Sequence, residues 1–110
     1  MSGVQVIFVT IPDDDDVMNA VVRPLIDEHL AACVNVLPGV QSYYRWEGAV
    51  QHDRERLLLI KTSSERLDER TRRITQLHPY DVPEIIAADG NGGHGPYLQW
   101  VKTQSGLSKK

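Results

Sequence analysis

His78, Asp81 and Glu84 lie close together in the stretch QLHPYDVPEII. An imidazole and two carboxylates are donor types that divalent cations take. A plainer reading also holds: Pro79 stops a helix, Pro83 pushes Val82 into an extended conformation, and the charges face water. One histidine per chain is a thin donor set. In a symmetric oligomer, however, a single ligand can meet residues of the neighbouring chain, so a site between subunits is open to this sequence.

Other chemistry is harder to build. The four histidines, His29, His52, His78 and His94, are dispersed, with no i,i+3 or i,i+4 pair to share a helix face. His29 and His52 read as surface residues. The single cysteine, Cys33, precludes an internal disulfide and a thiolate-bound cluster. In LAACVN it reads as a small hydrophobe of the core. No nucleophile–base pair is visible, so no enzymatic activity is expected. Asp13 to Asp16 suit the start of a helix through capping and the dipole. They lack the glycine and the terminal glutamate that a calcium-binding EF-hand loop requires. GNGGHG formally matches a dinucleotide fingerprint, but too little chain follows it for the second strand and the ribose-binding acid. It reads as a loop with Gly95 as a helix N-cap.

The elements that must position these residues follow from pattern. VQVIFVTI (Val4–Ile11) is a β-rich strand. A helix follows with Val17, Val21 and Leu25 on its apolar face, flanked by Val22, Ile26 and Leu30. Pro24 inside it predicts a bend. Ala32–Trp46 is a long strand interrupted at Pro38-Gly39, which predicts a bulge. EGAVQHDRE turns the chain into RLLLIKT (Arg56–Thr62), a strand buried on both faces. Thr62-Ser-Ser-Glu65 matches a capping box. The helix it opens carries Leu67, Thr71, Ile74 and Leu77 on one face, with Asp68–Arg72 and Glu69–Arg73 as exposed pairs. Glu84–Ala88 is the last strand. Pro96 starts a short helix through YLQWV, and the end of the chain reads as a frayed tail.

The order β-α-β-β-α-β plus a short helix defines an α+β, ferredoxin-like domain: an antiparallel sheet with two helices on one face. The chain of 110 residues reads as one domain, with its core at 4–103 and a tail at 104–110. It can bury a core without a disulfide or structural metal. At about 3.3 Å per residue, an extended run from Val34 to Trp46 spans roughly 43 Å. A domain of this size has a diameter of only about 35 Å. The hairpin should therefore project, and a projecting two-stranded arm needs a neighbour to dock on.

Charge and composition narrow the partners. Net charge is −3, with no pull toward nucleic acid or an anionic membrane. An RNA-recognition motif shares the element order but needs aromatics on its third strand, and RLLLIKT has none. Acylphosphatase also shares the order but needs an arginine-bearing phosphate loop where this chain has PDDDD. No run is apolar enough for a membrane span. The start, MSGVQVIFVT, has no basic leader, which predicts a cytoplasmic protein.

LAACVNVLPGVQSYYRWEG, LLLIKT and HPYDVPEII, in this order, resemble the CutA family, named for divalent-cation tolerance, and the likeness runs from about Val4 to Val101. The resemblance implies a homotrimer similar in architecture to the PII signalling proteins, binding copper or another divalent cation in metal tolerance or homeostasis. It implies no enzymatic activity. His78 matches a histidine proposed as a copper ligand in the family. The two further positions of that pattern hold Val9 and Leu77, whose side chains cannot coordinate a metal. Asp81 and Glu84 are weaker candidate ligands. The family comparison also points to Tyr44, Trp46, Glu47, Lys61, Tyr80, Glu84 and Trp100 as lining a cleft between subunits or cementing the trimer. The alternative function it leaves open is a PII-like regulatory module that binds a small ligand or a protein partner at that cleft.

Overall fold

The computed structural model describes residues 2–106. Its elements are β1 (Val4–Pro12), α1 (Asp15–Asp27), β2 (Cys33–Trp46), β3 (Ala49–Ser63), α2 (Leu67–Leu77), β4 (Ile85–Asp89) and α3 (Gly95–Ser105). The four strands form one sheet in the order β2-β3-β1-β4, antiparallel throughout. This is the ferredoxin-like α+β arrangement expected from the pattern.

Alternation along the strands sorts the side chains. Ile7, Val9 and Ile11 of β1 and Leu58 and Ile60 of β3 enter the core with Val21 and Leu25 of α1 and Ile74 of α2. Each such side chain, once buried, contributes about 1.5–3 kcal/mol. The opposite face carries Phe8, Leu57 and Leu59, which stay partly accessible, and Ile86, which is 59% exposed. Within Arg56–Thr62, β3 is thus fully buried on the helix side alone, because no second layer covers its centre. α3 packs against β3 and β1. Val101 and Ser105 are buried there, and Ser105 Oγ accepts the Ser63 amide at 3.0 Å.

The β2–β3 hairpin is longer than expected. EGAVQHDRE does not turn as a unit: only Glu47 (φ 51°) and Gly48 (φ 81°) do, between the paired residues Trp46 and Ala49. Two consecutive positive φ angles match the right-handed twist of the flanking strands. The rest of that stretch joins a β3 of 15 residues. The interruption at Pro38-Gly39 is a register shift between Leu37 and Val40, as the dipeptide predicts. The arm stretches the molecule to 44 × 26 × 23 Å.

Four local expectations need correction. The capping box does not form. β3 runs through Ser63, and α2 starts after Arg66, which sits at φ 59° with no side-chain cap. Thr62 and Ser63 instead donate to the Leu30 and Ser105 carbonyls. The exposed pairs on α2 are also rearranged: Glu69 pairs with Arg66, and Arg73 with Glu28 of the loop after α1. Finally, α3 reaches Ser105, so the expected tail begins later, and its end at 107–110 lies outside the described residues. Its N-cap is His94 rather than Gly95.

α1 starts where its acids predict. Asp14 caps it by accepting the Val17 amide at 2.9 Å, while Asp13 and Asp15 pair with Arg56 at 2.9 Å each. The helix continues through Pro24 to Asp27.

Candidate functional site

Where the hairpin leaves the sheet, it faces the segment between α2 and β4 across a cleft of about 640 Å³. Tyr44 and Trp46 of β2 form one wall, Glu55 of β3 and Thr10 of β1 the floor, and Tyr80, Asp81, Val82 and Glu84 the other wall. Gln41, Ser42 and Tyr43 complete the lining, which contains no lysine, arginine or histidine.

Glu55 is the unusual member. It is only 6% exposed and accepts a hydrogen bond from the Tyr80 hydroxyl at 2.8 Å. Among the described residues it forms no salt bridge. A carboxylate so placed lacks the cation that normally offsets desolvation. Burial, and then the Glu55 carboxylate, push the Tyr80 hydroxyl far above the ordinary tyrosine range. Tyr44 likewise donates to Asp53, whose carboxylate raises it. Both phenols are therefore neutral donors at physiological pH.

His78 sits behind this wall, 7% exposed. Nε2 lies 2.7 Å from the Thr10 carbonyl, and Nδ1 accepts the Tyr80 amide at 3.2 Å. These partners assign the Nε2–H tautomer. Both nitrogens are thus engaged within the chain, and ligation of a metal requires breaking one of these bonds. Among the described residues no group of three or more His, Cys, Asp or Glu side chains is arranged to hold a metal ion. The residues of a single chain therefore do not fit a complete metal site. Val9 lies at 0% exposure in the core and Leu77 is packed against it, so neither adds a donor.

The expected cleft residues divide. Tyr44, Trp46, Tyr80 and Glu84 line the cleft. Glu47 is at the hairpin tip, Lys61 donates to Asn35 further down the sheet, and Trp100 lies on α3 with its ring 5.7 Å from Tyr97, so none of these three reaches the cleft within one chain. Glu55 was not expected. No parity signal marks it: Glu55 shares the open sheet face with Leu57 and Leu59, and its burial comes from the Tyr80 segment folding over it. Cys33 is half-buried beside Tyr97 rather than in the core, because it begins β2 outside the α1–α2 layer; burial and the thiol raise the Tyr97 hydroxyl. His29 and His52 are exposed as expected, and His52 stacks on Tyr43 at 4.1 Å.

An antiparallel ferredoxin-like sheet, a projecting arm and an acidic aromatic cleft define a small α+β domain. The model of the CutA1 divalent ion tolerance protein family matches residues 5–104. The chain belongs to that family. It is 41% identical over 102 residues to the divalent-cation tolerance protein CutA of Thermus thermophilus, covering 93% of this chain and 98% of that one. The solved Thermus structure superposes with a TM-score of 0.88 over 94% of this chain and 99% of that chain. It is 43% identical to the chloroplastic protein CutA of Arabidopsis thaliana over 91% of this chain, and spans about half of that protein, 54%. A structure described as the periplasmic divalent cation tolerance protein CutA of Archaeoglobus fulgidus is 28% identical, with a TM-score of 0.87 over 93% of this chain and 98% of that one. The Thermus and Archaeoglobus relatives are named for divalent-cation tolerance rather than for a reaction.

The expectation of a cytoplasmic protein is overturned by the same relatives, one described as periplasmic and another as chloroplastic. Relatives of this chain are thus described from different compartments. No described helix is long and apolar enough to cross a membrane.

Proposed function

We propose that this protein serves divalent-cation tolerance as a non-enzymatic homotrimer of PII-like build, taking cations such as Cu²⁺ at the acidic cleft. The observation that carries this reading is the cleft's charge: Glu55, Asp81 and Glu84 line it and no basic side chain does. Such a surface attracts cations and repels anions. The trimer is supported by the projecting arm and by large apolar side chains left exposed along it, Trp46 at 48% and Val50 at 66%. Because one chain holds too few ligands, Asp81 and Glu84 supply part of a coordination shell that a neighbouring chain completes. His78 joins only by giving up one of its two hydrogen bonds. Its role in this reading is to brace Tyr80.

The test is a calorimetric titration of Cu²⁺ into tag-free protein of known oligomeric mass, beside His78→Ala and the double variant Asp81→Asn/Glu84→Gln. Binding at a fixed number of sites per trimer, lost in the double variant and kept in His78→Ala, is expected. Loss in His78→Ala alone moves the site to His78. Absence of saturable binding in the wild type ends the copper reading.

A further inference from the structure

We propose that the cleft is closed by a second copy of the chain, with the Lys61 ammonium of that copy seated on the Glu55 carboxylate. This rests on the trimer proposed above, not on its metal.

Two opposite charges stand unpaired on one sheet face. Alternation along β3 puts Glu55, Leu57, Leu59 and Lys61 on the side turned away from α1 and α2. Within one chain Glu55 is 6% exposed; its Oε2 accepts from Tyr80, and its Oε1 has no partner among the described residues. Lys61 stands between Val6 and Cys33, donates to the Asn35 side chain, and has no carboxylate partner among the described residues. Covering this face takes both groups out of water. Desolvated apart, each charge is costly; desolvated in contact, each offsets the other. Within one chain they cannot meet, because six residues of strand hold them about 20 Å apart. Between chains they can, since each copy lends one charge and receives the other.

The other described cations are paired with carboxylates, bound to carbonyls, or placed off this face. Arg54, and Arg45 through its partner Val50, stand at the parity of Leu58, on the opposite side of the arm. Arg72 is on α2, and Lys102 is on α3 beside Gly3. Lys61 is therefore the one described cation on the bare face. The aromatic walls of the cleft suit its aliphatic stem and its charged head alike. Asp81 and Glu84, exposed at the outer wall, stay available to a metal ion.

The first readout needs no substitution. A carbodiimide joins an ammonium and a carboxylate in direct contact as an amide. After treatment of the intact oligomer in EDTA, digestion and mass spectrometry should find Lys61 joined to Glu55, in a product heavier than one chain. The second readout is charge exchange, followed by light scattering on dilution. Lys61→Glu and Glu55→Lys should each raise the concentration needed for assembly about 30-fold or more, and the two together should recover most of the loss. If a reversal fails to fold, Lys61→Met and Glu55→Gln take its place. Each should weaken assembly about tenfold, and the double variant no more than either. The proposal is overturned if Lys61 forms no amide with Glu55, or if the two substitutions weaken assembly independently. A wild type without the mass of three chains sinks the trimer as well. A trimer in which Lys61 and Glu55 are uncoupled sinks this pair alone and leaves the Cu²⁺ titration to decide the metal.

Discussion

Tyr80 and Glu55 meet across the cleft: the phenol donates to the carboxylate at 2.8 Å, joining the turn after α2 to the middle of β3. His78 fixes the same turn from behind through the Tyr80 amide. Tyr80→Phe removes a neutral donor and leaves Glu55 buried with less compensation. The expected loss is about 1–3 kcal/mol in urea unfolding. It also has a pH signature. The folded state holds the Tyr80 proton through the range where the unfolded chain releases it, near 10. The contribution is therefore complete below pH 10 and is lost as pH rises beyond it. The alkaline fall in Tm should be shallower in Tyr80→Phe than in wild type.

Arg70 should be the most costly surface-looking residue to change. It is a charged residue on α2, yet it is 2% exposed. Its guanidinium donates to the Leu30 carbonyl at 2.8 Å, to Ser63 Oγ at 3.0 Å and to the carbonyls of Glu65 and Ser105. It thereby ties α1, β3, α2 and α3 together. Burial lowers its pKa from the ordinary arginine value. Arg70→Leu removes one donor from each of these acceptors, leaving the Leu30 and Ser105 carbonyls with Thr62 and Ser63 alone, and should cost about 2–3 kcal/mol, read as a lowered urea midpoint. Arg70→Lys keeps charge but loses the fork, and should fall between.

Arg70 and Glu55 also mark where sequence reasoning stopped. Strand and helix periodicity predicted the order of elements, the Pro38-Gly39 dipeptide the bulge, and the acids Asp13 to Asp16 a helix start. Those signals are local: alternation, a proline, an acid at a helix start. The capping box failed because Thr62 and Ser63 had better partners far along the chain, at Leu30 and Ser105. Arg70 and Glu55 escape local pattern for the same reason, since their burial comes from elements distant in sequence. In the site, the aromatic residues Tyr44, Trp46 and Tyr80 were legible through the family resemblance. The acid that faces them was not, because the extent of β3 was underestimated. His78 was legible as a residue but not as a brace, since its partners are backbone atoms.

Glu28 and Arg73 clamp the end of α1 to α2 through two hydrogen bonds, at 2.9 and 2.7 Å. The Arg73 guanidinium holds the Glu28 carboxyl below its ordinary value. A depressed folded value means that the stabilisation is present above pH 4.5 and is lost as pH falls through the folded value. Glu28→Gln should cost less than about 1 kcal/mol at pH 7, because the pair is largely solvated. The difference between variant and wild type in thermal unfolding should vanish at acid pH and shrink in high salt.

Ile86 tests the assembly. It stands on β4 opposite Phe8, on the sheet face turned away from α1 and α2, and is 59% exposed. Leu37, 39% exposed, lies on the same side. In the trimer proposed above, a second copy of the chain covers this face of a sheet that has spent its helices on the other side. Ile86→Glu places a carboxylate where the copies meet. Burying it unpaired costs several kcal/mol, whereas on an exposed monomer surface it costs almost nothing. Light scattering should therefore show the mass falling from three chains toward one, while the circular dichroism of the folded chain is retained. An unchanged mass would place the interface elsewhere, on the arm alone, and the matching substitution Val50→Glu would then carry the dissociation.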